Sequence, residues 1–183
     1  MDTYQKYIAD SLEMGFSYAV LLRDLTLTCS PDLRAYCNAD SCANYGKTWV
    51  CPPGCGTLES CQNQISKYCT GIVLQSVSEI PASTDKLTKL QRLNREHNSR
   101  FLRLSDIARR DGYSVLPLTT GGCIICETCT FPDIDCREPE RRMHSLSAYG
   151  INVGELCKKA GLEYAFTEGI VYYTACLMLS HLG

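Results

Sequence analysis

The chain has no apolar run long enough to cross a bilayer. Its longest, "GIVYYTACLML" at 169–179, is about half of the roughly 20 residues a membrane helix needs. The opening stretch, "MDTYQKYIADSLEMGF", lacks the basic start and apolar core of a secretory signal. Charge of one sign is also scarce. Eighteen Lys and Arg against 20 Asp and Glu leave a formal net charge of −2, which gives no reason to expect nucleic acid or an anionic membrane as the main partner. No glycine-rich loop follows a strand in a phosphate- or dinucleotide-binding pattern, and no G-x-S-x-G elbow or H-E-x-x-H helix occurs. These absences predict a cytoplasmic protein whose chemistry, if any, belongs to a cofactor.

What is abundant is cysteine, 13 in 183 residues. The cytoplasm keeps thiols reduced, so clustered cysteines there read as metal or redox ligands rather than disulfides. Cys123, Cys126 and Cys129 follow C-x2-C-x2-C spacing, which wraps a short loop and turns three sulfurs inward. Zinc sites usually draw C-x2-C pairs from two separated loops, whereas three thiols stepped by three residues with a fourth downstream are the pattern of a [4Fe–4S] cluster. Cys136 is the natural fourth ligand.

The first group is "CNADSCANYGKTWVCPPGCGTLESC". Cys37, Cys42 and Cys51 come from a loop rich in turn-forming residues, and either Cys55 or Cys61 is within reach to complete four. Its irregular spacing makes zinc a stronger competitor here, although ligand softness and number favour iron–sulfur. Cys29, Cys69, Cys157 and Cys176 are expected to be ordinary packed thiols. His97 falls on the apolar stripe of a helix and reads as a packing residue. His144 and His181 stand in polar or terminal settings with no partner at metal-ligand spacing. Arg137, Arg141 and Arg142 crowd the exit of the second cysteine loop. They form either a solvated charged face, or compensation for thiolate charge and a docking patch for an acidic redox partner.

The coarse pattern predicts one compact α/β (α+β) domain over 1–183, with a small mixed sheet, flanking helices and two cysteine-rich loops at 28–61 and 121–142. Helices are expected at 3–14, 57–68, 84–110 and 153–160, with a helical turn at 145–149. Strands are expected at 16–22, 71–77, 113–118 and 169–179. A loop as long as 28–55 inside a compact domain needs an organiser.

"CANYGKTWVCPP", "GGCIICETCTFPDIDCREPERR" and "SLSAYGINV" together resemble the predicted metal-binding proteins grouped as domain of unknown function 2284. The resemblance covers nearly the whole chain. It implies a metal- or iron–sulfur-binding cytoplasmic protein of prokaryotic anaerobic type, with Cys37, Cys42 and Cys51 in the first motif and Cys123, Cys126, Cys129 and Cys136 in the second as ligands. It supplies no reaction. Where many relatives read Ser-Met-Glu-Ala, this chain has Ser145, Leu146, Ser147 and Ala148, so any acid–base role of that glutamate is missing here.

The expectation that results is a protein with two [4Fe–4S] clusters passing electrons to a redox protein partner. The alternatives are a binding scaffold stabilised by zinc or clusters, and an enzyme or activating factor with an open iron site.

Overall fold

The computed structural model describes residues 3–80 and 85–181. In chain order the elements are helix α1 (Thr3–Glu13), strand β1 (Tyr18–Leu22), helix α2 (Pro31–Arg34), helix α3 (Leu58–Ile65), strand β2 (Thr70–Glu79) and helix α4 (Lys86–Arg110). Strand β3 (Tyr113–Thr119), a 3-10 turn (Pro139–Arg141), strand β4 (His144–Ser145), helix α5 (Val153–Lys159) and strand β5 (Ile170–His181) follow.

The strands form one sheet of order β1-β2-β5-β3-β4. All neighbours are antiparallel except β3 and β4, which run parallel. The fold is the mixed α+β type that the alternation of elements predicts. β5, last in sequence, sits at the centre, paired with β2 on one side and β3 on the other.

Strand side chains alternate between faces, so a strand covered on both sides must be apolar at odd and even positions alike. β2 and β5 obey this. Val73, Cys176 and Met178 belong to one apolar cluster, with Leu27, Ile65 and Leu156. Ile72, Leu74, Ala175 and Leu177 belong to the other, with Tyr7, Phe101 and Leu104. One face is thus covered by α1 and α4, the other by α3, α5 and the start of the first cysteine loop.

Helix α4 begins at Asp85, whose carboxylate accepts from the Thr88 N–H, and ends before Asp111-Gly112. The residue at 84, where the sequence starts this helix, lies outside the described residues. The buried stripe comprises His97, Asn98, Phe101, Leu104, Ser105 and Ala108. Leu87 falls on the same stripe by spacing, yet it is 67% exposed. Helix α3 is capped as the sequence suggests, with Thr57 Oγ1 accepting from the Ser60 N–H at 3.1 Å.

Two local expectations change. The loop over 28–55 contains the short helix α2, started by Ser30 as N-cap and Pro31 in the first turn. The helical turn expected at 145–149 is present, with the Tyr149 N–H donating to Ser145 O at 3.1 Å, but it opens from β4, and the Leu146 N–H donates to the Thr119 carbonyl at 2.8 Å. β5 also extends past 179 to His181, because β3 continues the ladder.

Candidate metal centre

The first cysteine loop is held by turns along its length. It leaves the sheet region at Ser30, whose N–H donates to Gly150 O at 2.9 Å. Gly150 has φ +66°, and a Cβ there would run into the Ser30 backbone, so the close approach requires glycine. Asn38 Oδ1 accepts from the N–H groups of Asp40 and Ser41, and the Cys42 N–H donates to Asn38 O at 3.0 Å. Further on, the Cys55 N–H donates to Cys51 O at 3.0 Å.

The second loop is anchored to α4 at both ends. The fully buried Asn98 accepts from Thr119 Oγ1 at 2.6 Å and donates through Nδ2 to Thr120 O at 3.1 Å. At the exit, Arg141 reaches Asp106 of α4 with two hydrogen bonds, at 3.1 and 2.7 Å. Within the loop, Arg137 donates to Thr128 O and Thr130 Oγ1 donates to Asp135 O, both at 3.0 Å.

The two loops meet. Trp49 of the first donates its indole N–H to Ile134 O of the second at 3.2 Å, and its ring stands edge-on to Phe131 with centroids 5.0 Å apart. Cys123, Cys126, Cys129 and Cys136 line one cavity, closed on the first loop's side by Trp49 and its neighbours. Arg137 and Arg142 line the same cavity, so two of the three loop-exit arginines face the cysteines. Arg141 is engaged by Asp106 and Glu138 instead.

Electrostatics give the same grouping. Burial pushes the Cys37 thiol up, and the nearby Cys42 and Cys51 push it further. Cys51 is raised by burial and by Cys42, Cys129 and Cys123, with the neighbouring Thr48 hydroxyl opposing. Cys51 therefore lies between the two groups. Cys123 is raised by burial and by Cys136 and Cys126, while the nearby backbone amides of Ile125 and Met143 pull it down. Backbone amides aimed at a sulfur are the kind of contact that tunes a thiolate-bound centre.

Cys55 and Cys61 adjoin this constellation, since Cys51 acts on Cys55 and Arg34 lowers Cys37 as well. Cys61 Sγ donates to Cys55 O at 3.7 Å, and the Arg34 guanidinium touches both sulfurs, with Nη2 3.4 Å from Cys55 Sγ and Nη1 3.5 Å from Cys61 Sγ. Interaction between the two thiols raises Cys55 and lowers Cys61, while Arg34 lowers both. Cys29 lies close enough to feel Cys61 and Arg34. Cys157 and Cys176 are fully buried among packing partners, as expected, whereas Cys69 is exposed.

His97 packs at 0% exposure, with Nδ1 2.9 Å from Ser76 Oγ. His144 is buried rather than in a polar setting, its ring 5.0 Å from that of Tyr149. Arg34, Trp49 and Asn98 are the residues that sequence reasoning missed. The single tryptophan between two cysteines of one loop was a usable signal, but the other two positions carried none.

Among the described residues, no group of three His, Cys, Asp or Glu side chains is arranged to hold a single ion. Four thiols around one cavity, with guanidinium groups beside them, are nonetheless a donor set suited to a soft thiolate-ligated metal or cluster. Fold and donor set together define a small cysteine-rich protein of metal-binding type. The chain belongs to the family described as predicted metal-binding protein (DUF2284), which matches residues 22–179. No curated protein and no solved structure matches it. Among the described residues no helix is long and apolar enough to cross a membrane.

Proposed function

We propose that this protein holds two [4Fe–4S] clusters and passes single electrons to a protein partner. Cys123, Cys126, Cys129 and Cys136 would hold one, and Cys37, Cys42 and Cys51 would hold the other. The fourth place in the first set falls to Cys55, to Cys61 or to a group from outside the chain. The observation that carries this reading is the single cavity shared by the four cysteines of the second loop, with Cys51 brought up to it from the first. When bound, such clusters supply one-electron transfer, at potentials set by burial, charge and hydrogen bonds to sulfur.

The chain's own residues have definable parts. Arg137 and Arg142 offset thiolate charge at the cavity. The amides of Ile125 and Met143 stabilise charge on Cys123. Trp49 and Phe131 keep the two loops together and screen their junction from water. The partner side of the proposal is a redox protein with an acidic face, drawn by the arginines that leave the second loop, in the reducing cytoplasm where unpaired thiols persist.

The test is compositional. Protein purified without oxygen should be brown, contain iron and acid-labile sulfide in equal amounts, and bleach with dithionite. Colourless protein holding only zinc refutes the reading.

A second reading follows from the placement of Cys55 and Cys61 beside each other. With three chain thiolates at the first set, one iron stays open to substrate or another cofactor, which makes the protein an enzyme or activating factor. A small-molecule ligand that perturbs the spectrum of only one cluster supports it.

A further inference from the structure

We infer that the outer face of helix α4 is the docking surface for an acidic protein, one that presents a patch of Asp and Glu side chains. The inference rests on the reading above that a protein partner docks. It moves the docking charge from the exit of the second loop onto the helix.

Three observations carry the inference. The first is charge. α4 holds eight basic residues against two acidic ones, Glu96 and Asp106, a net of +6 in a chain whose net charge is −2, so the rest of the chain carries −8. The second is placement. Arg92, Arg95, Arg103 and Arg110 fall three, eight and seven residues apart, close to whole turns, and all four are exposed. They stand opposite the buried stripe of His97, Phe101, Leu104 and Ala108. Both acids of the helix are engaged: Glu96 lies 3.8 Å from Arg92 and from Arg100, and Asp106 is shared by Arg109 and Arg141. Among the described residues, Lys86, Arg95 and Arg103 have no acidic group within ion-pair distance. A merely solvated helix face mixes the two signs, whereas Lys86, Lys89, Arg92 and Arg95 follow one another at three-residue steps. Like charges so spaced repel and weaken the helix until an outside anion offsets them. The third observation is position. Leu90, Asn94 and Arg95 share one open cleft with Cys123, Cys126 and Glu127, and Arg103 and Arg110 share another with Asp106 and Arg141. The basic stripe thus borders the second cysteine loop near its start and at its exit.

The extent of the charge selects a protein over a duplex or a bilayer. At 25 residues, α4 is about 37 Å long. A nucleic-acid duplex or an anionic membrane extends past it and meets the acidic remainder of the chain. A compact protein confined to the helix face does not, because salt screens charges beyond roughly 8 Å. The two rings of the helix, His97 and Phe101, are buried, so neither can stack against a base. Leu87, exposed in the first turn, offers the apolar contact that centres a protein interface. Of the three arginines at the loop exit, Arg141 is taken by Asp106 and Glu138, and Arg137 and Arg142 line the cysteine cavity. The charge left for a partner is on α4.

The experiment measures binding of full-length, metal-loaded protein, prepared without oxygen, to two probes: a small acidic ferredoxin and an acidic flavodoxin. Binding to at least one should appear at low salt and weaken by about tenfold or more as salt rises. Arg95→Glu with Arg103→Glu should weaken it by about tenfold. Lys67→Glu with Lys158→Glu makes the same change in net charge at exposed positions beside α3 and in α5, and should leave binding within about twofold. If the α4 reversal lowers helicity by circular dichroism, Arg95→Gln with Arg103→Gln takes its place, with a loss of about threefold expected. Equal losses in the α4 and control variants overturn the inference. So does failure of both probes to bind, and so does displacement of the probe by duplex DNA or phosphatidylserine vesicles of equal or higher affinity. Binding that depends on α4 in protein holding only zinc upholds the surface and defeats the cluster proposal. Iron–sulfur protein whose electron exchange with the probes ignores the α4 reversal does the opposite.

Discussion

Trp49 and Phe131 stand edge-on with ring centroids 5.0 Å apart, one ring from each cysteine loop. An aromatic pair of this geometry adds about 0.5–1.5 kcal/mol beyond its burial, and the indole N–H bond to Ile134 O adds to that. Trp49→Ala should therefore loosen both loops at once. The expected outcome is faster loss of metal to a chelator from both cysteine sets, with Trp49→Phe intermediate because it keeps a ring and loses the hydrogen bond. Metal release unchanged by Trp49→Ala would show that the loops are held independently.

Asp106 ties the exit of the second loop to α4 through Arg141 and also binds Arg109. Its carboxylate is partly exposed, so solvent screening limits its value. Arg109 is more buried and would lose its partner in Asp106→Asn. The cost should be about 1–2 kcal/mol in urea denaturation, shrinking in high salt. A cost that does not depend on salt would point to packing rather than charge.

Gly150 and Gly161 make a matched pair for testing the Ser30 contact, since their φ angles are +66° and +67°. A Cβ at Gly161 meets nothing within 4 Å, while one at Gly150 strikes the Ser30 backbone. Gly161→Ala should cost about 1–2 kcal/mol, the penalty of the left-handed region alone. Gly150→Ala should cost clearly more and should disturb the first cysteine set. Equal losses in thermal unfolding would mean that the chain at Ser30 yields easily.

Burial holds the His97 pKa down, at about 3 against an ordinary 6.5, with Arg100 adding to the effect. The unfolded chain therefore takes up a proton that the folded chain refuses. Stability contributed by neutral His97 is complete above pH ~6.5 and falls as pH drops toward 3, by about 1.4 kcal/mol per unit. Denaturation midpoints measured between pH 7 and ~5, above most carboxylate titration, should show this slope. Burial also holds His144 down, at about 4, with Arg142 adding to it, so that residue contributes a like slope. His97→Gln should therefore make the slope shallower without abolishing it, and an equally steep slope in that variant would assign the effect elsewhere.

The sheet was legible because its central strands are apolar at odd and even positions alike, and α4 because its stripe holds the helical period from His97 to Ala108. Leu87 shows the limit of periodicity, which puts a residue on a stripe without saying what covers it. β4 was invisible, since two residues carry no pattern and its pairing is decided by Thr119 far along the chain. Spacing alone grouped Cys123, Cys126, Cys129 and Cys136, and the structure sets them around one cavity. Spacing could not choose between Cys55 and Cys61 beside Cys37, Cys42 and Cys51, and the Arg34 guanidinium that reaches both sulfurs comes from a residue that no cysteine motif contains.

Asn98 has a mechanical consequence. A single buried amide on α4 grips the last residue of β3 and the one after it, and Cys123 follows three positions on. The first thiol of that loop is thus hung from the helix as much as from the sheet. Sliding or rolling of α4 would pull on that sulfur through one amide side chain.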